Sequence, residues 1–182
     1  MIHKICILIF ATAVIVASQV SESEAKKTKT NPSFGSKECQ VSVYFGASAR
    51  KEIEDLFLVG VQYSQPNEFF RIHGRRSIEL MTAHGIGDFS RYNQPLIFGL
   101  AQDVIFHLFG TMYAGINLGI YIKSNSTDRI SSKFTFGEKV FLGFGLLENY
   151  RLEWYGRHFS NGTLTEQNGG QNFLGLSVIM NF

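Results

Sequence analysis

From Thr111 to Ile122 the chain alternates without a break between two kinds of side chain. Met112, Ala114, Ile116, Leu118, Ile120 and Ile122 share one parity, while Thr111, Tyr113, Gly115, Asn117, Gly119 and Tyr121 take the other. A period of two belongs to a β-strand, whose successive side chains point to opposite faces, so this segment has one oily face and one small or polar face. Its length is what constrains the fold. Strands in globular proteins run to about five or six residues, whereas a tilted strand needs about nine to eleven to cross a bilayer. The C-terminal segment follows the same rule, with Leu174, Leu176, Val178, Met180 and Phe182 on one face. So does the stretch carrying Phe134, Phe136, Val140, Leu142 and Phe144, in which Glu138 is the discordant charged member.

A soluble sandwich also alternates, but with shorter strands and more charge on its polar faces. Long strands with apolar outer faces must instead satisfy their backbone groups among themselves, because hydrocarbon offers no partner, and closure into a barrel achieves this. The expected fold is all-β, an eight-stranded antiparallel transmembrane β-barrel. Its strands are placed at residues 40–47, 56–63, 76–83, 96–106, 111–122, 133–144, 152–160 and 172–182. Pro66-Asn67, Tyr92-Asn93 and the polar run 124–132 supply turns and loops.

The N-terminus shows a targeting pattern: Lys4, then an apolar stretch over residues 5–17, then Ser23 and Ala25 at cleavage spacing. The apolar stretch is too short to span a membrane, so residues 1–25 are expected to be a secretory signal peptide. Cys6 lies within it and lacks the small-residue context of a lipoprotein anchor. Residues 26–182 form the expected barrel, with 26–38 a periplasmic leader. Cys39 is then the one cysteine of the exported chain, which excludes an intrachain disulfide and a cysteine-based metal site. A net charge of +2 gives no basis for nucleic-acid binding. An even strand count puts both termini on the periplasmic side, so strand seven ends at the outer surface.

Strand seven breaks the pattern of an oily outer face. Leu152, Trp154, Gly156, His158 and Ser160 share the outward parity, and Arg151, Glu153, Tyr155, Arg157 and Phe159 point inward. Inward charges are an ordinary filling for a small barrel, and Trp154 suits a membrane interface. A histidine and a serine two residues apart on the lipid side are harder to explain structurally. Two interfacial polar groups with no task would be the plain account. The chemical account has Ser160 attack an acyl carbonyl while His158 removes its proton and later protonates the leaving alkoxide. That chemistry also needs a group to orient the imidazole and donors for the oxyanion.

The run Arg157-His158-Phe159-Ser160-Asn161, followed by Asn168, Gly170 and a last strand ending in Phe182, resembles the PagL family of outer-membrane lipid A 3-O-deacylases. The resemblance is convincing from about Phe134 to Phe182 and general before that. It implies an eight-stranded barrel that removes an ester-linked 3-hydroxyacyl chain from lipid A without a metal or organic cofactor. It implies catalytic roles for His158 and Ser160, and carries the family's active-site asparagine onto Asn168, with Asn161 and Gly170 beside it as oxyanion or substrate-positioning residues. One departure stands out. The family places a catalytic glutamate twelve residues after the serine, where this chain has Asn172. An amide can orient an imidazole but cannot offset the positive charge it acquires. Glu166, in the loop before the last strand, is a candidate for the missing carboxylate.

Other signals are weaker. Ser48 and Lys51 have Ser-x-x-Lys spacing with no companion motif, and Asp103 and His107 are candidates for the lumen. Lys51, Arg71, Arg75, Arg76, Arg91 and Arg129 are basic residues of expected loops or strand ends, available to lipid phosphates. The partners implied are lipid A and lipopolysaccharide, the surrounding outer-membrane lipids and the barrel-assembly machinery, with homodimerisation left open. Competing readings are a structural or lipid-binding barrel with impaired catalysis, and a phospholipase or acyltransferase using the same residues.

Overall fold

The computed structural model describes residues 38–51, 55–89, 94–166 and 168–182. The expected signal peptide, almost all of the leader, Arg91 and the turn at Tyr92-Asn93 lie outside the described residues. Eight strands follow one another in chain order: β1 Gln40–Ser48, β2 Leu56–Phe69, β3 Ile72–Gly85, β4 Leu96–His107, β5 Met112–Lys123, β6 Phe134–Leu147, β7 Tyr150–Ser160 and β8 Gln171–Asn181. Each pairs antiparallel with its neighbours, and β1 pairs with β8 from Gln40↔Asn181 to Ser48↔Phe173, closing the barrel. Eleven to fourteen residues in β2 to β8, tilted by about 45°, cross roughly 25 Å, the height of the apolar band on such barrels.

The alternation in sequence becomes a division between wall faces. Leu118, Val140 and Leu174 are 60%, 61% and 62% exposed, a pattern that water would not tolerate around a whole barrel and hydrocarbon favours. The lumen is filled by side chains. Arg75 bridges Asp103 at 2.6 Å and Glu153 at 2.9 Å, Arg157 Nη1 donates to Glu79 at 2.6 Å, and Tyr44 and Tyr113 donate to Glu79 and Glu153. Removed from water, these charges persist because each meets opposite charge and hydrogen bonds. Asp103 thus sits in the lumen, whereas His107 ends β4 exposed at the rim opposite the β7–β8 loop.

Two expectations near β2 and β3 are corrected. Pro66-Asn67 is not a turn: β2 continues through it, with Pro66 opposite Arg75 and Asn67 opposite Gly74, and the chain turns at Phe70 and Arg71 with φ of 48° and 65°. The strand tolerates proline there because β1 pairs with β2 only as far as Ser64, leaving that edge without a ladder for Pro66 to break. The longer β3 also carries Arg75 into the lumen rather than into a loop, and Arg71 to the far rim from the β7–β8 loop.

Candidate active site

Three adjacent strands put a row of polar side chains on the lipid face. Glu138 of β6 lies opposite His158 of β7, and His158 lies opposite Asn172 of β8. One step along β7 toward the rim, Ser160 lies opposite Phe136. One step the other way the row is Val140, Gly156 and Leu174, which is apolar. The polar row therefore stands at the border between the oily wall and the β7–β8 loop.

His158 Nδ1 and Asn172 Oδ1 are 2.8 Å apart. With the amide oxygen turned to the ring, Nδ1 is the donor, so the base of a neutral imidazole held this way would be Nε2. Asn172 is held by its own main chain, whose carbonyl accepts from the Ala49 amide at 2.9 Å at the β1–β8 seam. Gly170 closes against the ring from the loop side. Its φ is +63°, and a Cβ built there would stand 2.7 Å from His158 Cε1. Both the backbone conformation and the closeness of the imidazole require glycine. No hydrogen bond joins Ser160 Oγ to the imidazole among the described residues; such contacts commonly tighten only with substrate bound.

The loop after Ser160 is folded around Asn161, which is fully buried. The Asn161 amide N–H donates to Asn168 Oδ1 at 2.9 Å, and Asn161 Oδ1 accepts from the Thr163 amide at 3.0 Å. Its own amide group donates to Thr165 Oγ1. The main-chain N–H beside the serine is thus committed to Asn168, so Asn161 shapes the loop. Asn168 spends its oxygen on that bond, which leaves its amide N–H groups as the donors.

A second loop pins this one. Arg129, between β5 and β6, donates Nε to the Gly170 carbonyl at 2.8 Å and a terminal nitrogen to the Gly169 carbonyl, while the Gly169 amide donates to the Arg129 carbonyl at 2.7 Å. Ile130 bridges Asn168, Ser131 and Thr165 hydroxyls meet at 2.6 Å, and Thr135 Oγ1 donates to the Ser160 carbonyl at 2.7 Å. Arg129, expected to be available to phosphate, faces the loop carbonyls that position Gly170. Glu166 lies exposed on the loop, with no hydrogen bond or ion pair to His158 among the described residues.

Beneath the polar row runs an apolar groove of about 690 Å³, lined by Val140, Leu142, Trp154, Gly156, Leu174 and Leu176 on the outer wall. Gly156, which has no side chain, is part of its lining. A Cβ there would meet Leu174 and Val140 only at ordinary contact, 3.6 and 3.7 Å. Sequence reasoning singles out His158, Ser160, Asn168, Gly170 and Asn172, which the structure places on β7, on β8 and in the loop between them. It missed the groove, the bracing by Arg129 and the position of Glu138 beside His158, all of which depend on cross-strand register.

Residues 24–181 match the protein family described as lipid A 3-O-deacylase (PagL). A comparison with curated protein sequences gives no match. Among solved structures, the outer membrane enzyme PagL superposes with a TM-score of 0.56 at 17% identity, covering 79% of this chain and 99% of that one. Neisserial surface protein A gives 0.54 at 12% identity, covering 80% and 95%. The N-terminal β-barrel domain of Pseudomonas aeruginosa OprF gives 0.59 at 13%, covering 82% and 100%. At these identities the superpositions establish the outer-membrane barrel fold, and the family match spans most of the sequence. The chain belongs to the lipid A 3-O-deacylase (PagL) family, whose members are hydrolases.

Proposed function

We propose that this barrel hydrolyses the ester-linked 3-hydroxyacyl chain at the 3-position of lipid A in the outer leaflet. Ser160 is the nucleophile, His158 the general base and then acid, and Asn172 the group that holds the imidazole in its Nδ1-protonated form. Ser160 Oγ adds to the ester carbonyl carbon as its proton passes to His158 Nε2. The oxyanion is met by the Asn168 amide N–H groups, with Gly170 fixing the ring against them. Collapse breaks the bond to the sugar oxygen, and the imidazolium returns its proton to that leaving alkoxide. Water, activated by the same nitrogen, then releases the fatty acid from Ser160. The groove below His158 takes the acyl chain, which slides in laterally from the leaflet without entering the lumen.

The observation that carries this reading is the 2.8 Å bond from His158 Nδ1 to Asn172 on a lipid-facing wall, with Ser160 on the same face of the same strand. The test is fatty-acid release by the folded protein in detergent, with lipopolysaccharide and phospholipid supplied separately. Release of 3-hydroxy fatty acid from lipopolysaccharide alone, abolished by Ser160→Ala, is expected. Release from phospholipid instead would make the protein a phospholipase. No release from either would favour the second reading, a barrel whose catalysis lapsed with the loss of a carboxylate at Asn172.

A further inference from the structure

The residue that breaks the oily alternation of β6 stands where the carboxylate lost at Asn172 would be useful. Among the described residues facing out from β6, β7 and β8, Glu138 is the one acidic side chain, and it is paired in register with His158. Directly opposed residues on antiparallel strands have Cβ atoms about 4.5–5.5 Å apart, which puts a glutamate carboxylate within reach of the neighbouring imidazole. A charge on a barrel's lipid face destabilises it by an amount that grows with depth, so its presence calls for a reason. Its two cross-strand neighbours on this wall are Leu118 on one side and His158 on the other, so His158 is its polar companion.

We infer that Glu138 is the electrostatic partner of His158, supplying from β6 the negative charge that Asn172 on β8 cannot provide. The inference rests on the reading of Ser160 and His158 as a nucleophile and base. It divides between two residues what one carboxylate does in a Ser-His-Asp arrangement. Asn172 fixes the tautomer and the ring orientation by its hydrogen bond. Glu138 offsets the charge of the imidazolium. No ion pair joins Glu138 to His158 among the described residues. When Ser160 Oγ bonds to the acyl carbon and its proton moves to Nε2, the ring becomes cationic beside a carboxylate. At about 6 Å and an effective dielectric near 20, that attraction is worth on the order of 10²-fold in rate. Glu138 is thus a positioning and charge-balancing residue that touches neither the ester nor the serine.

Two measurements test this. The first is the rate at which a fluorophosphonate labels Ser160 in folded protein, a reaction in which Ser160 displaces fluoride and gives its proton to His158 whatever the natural substrate. The second is kcat and KM on lipopolysaccharide. Glu138→Gln should slow labelling and lower kcat by on the order of 10²-fold, with KM little changed. Glu138→Asp should recover most of the rate. Asn172→Asp, which puts a carboxylate on the other side of the ring, should rescue Glu138→Gln. Far-UV circular dichroism and heat-dependent gel mobility confirm that each variant is folded. Wild-type labelling in Glu138→Gln, a loss confined to KM, or failure of both rescues in folded protein would overturn the inference. Glu138-dependent labelling with intact lipopolysaccharide would sustain it and reject the substrate. Equal lipopolysaccharide cleavage by wild type and Glu138→Gln would do the reverse. Failure of folded wild type to label would remove both.

Discussion

Replacing Gly170 by alanine tests how tightly the imidazole is set. The added methyl would stand 2.7 Å from His158 Cε1, whereas carbon atoms rest about 3.5–4.0 Å apart, so the ring must retreat by roughly 1 Å. The substitution also holds an L-residue at a φ of +63°, a left-handed conformation costing about 1–2 kcal/mol. A displacement of about 1 Å at a catalytic group lowers the rate about 10²-fold, equivalent to about 2.7 kcal/mol of activation free energy. Steady-state release of 3-hydroxy fatty acid should therefore show kcat down about 100-fold and KM little altered, in a protein that still folds as a barrel. Gly162→Ala is the control. It bears the same backbone penalty, with a φ of +60°, but its Cβ meets the Phe136 ring and not His158, so its kcat should stay within a few-fold of wild type. Wild-type kcat in Gly170→Ala, or an equal loss in both variants, would refute the ring-displacement argument.

Three further outcomes are expected. Asn172→Leu removes the acceptor 2.8 Å from His158 Nδ1 and should lower kcat by roughly 10²–10⁴-fold, the range between general-base and triad-orienting contributions, with thermal stability unchanged. Gly156→Phe fills the apolar groove and should raise KM for lipopolysaccharide more than for a short-chain ester, measured by parallel kinetics on the two substrates. Glu79→Leu leaves Arg157 buried in the lumen without its 2.6 Å partner and should destabilise the barrel by about 3–5 kcal/mol in denaturant titration, with the proposed site on the outer wall little affected.

The fold was largely legible because barrel strands advertise themselves through parity. The strands expected at 111–122, 152–160 and 172–182 fall within two residues of β5, β7 and β8 at each end. The N-terminal half was less clear where local signals and tertiary context disagree. Pro66-Asn67 has turn chemistry, and only the pairing of β1 shows that Pro66 sits beyond its neighbour's reach. Ile72 to Arg75 lacks simple alternation because Arg75 enters the lumen while Gly74, on the opposite face, lies beneath the Asn67 and Gln102 side chains. At the site, spacing along one strand was enough to place His158 and Ser160 on one face. Which residues stand beside them depends on register across β6 and β8, and register cannot be read from one strand. Glu138 was visible only as an interruption until its pairing with His158 gave it a neighbour. Arg129 was visible only as a positive charge, because its partners are backbone carbonyls that carry no sequence signal.

The most direct test of the account is the mass of lipid A from a deacylase-free bacterial host that expresses this chain. The account predicts the loss of one 3-hydroxyacyl group from the 3-position, and retention of that group when Ser160→Ala is expressed at the same level in the outer membrane. Unchanged lipid A with correctly folded wild-type protein in the outer membrane would contradict it.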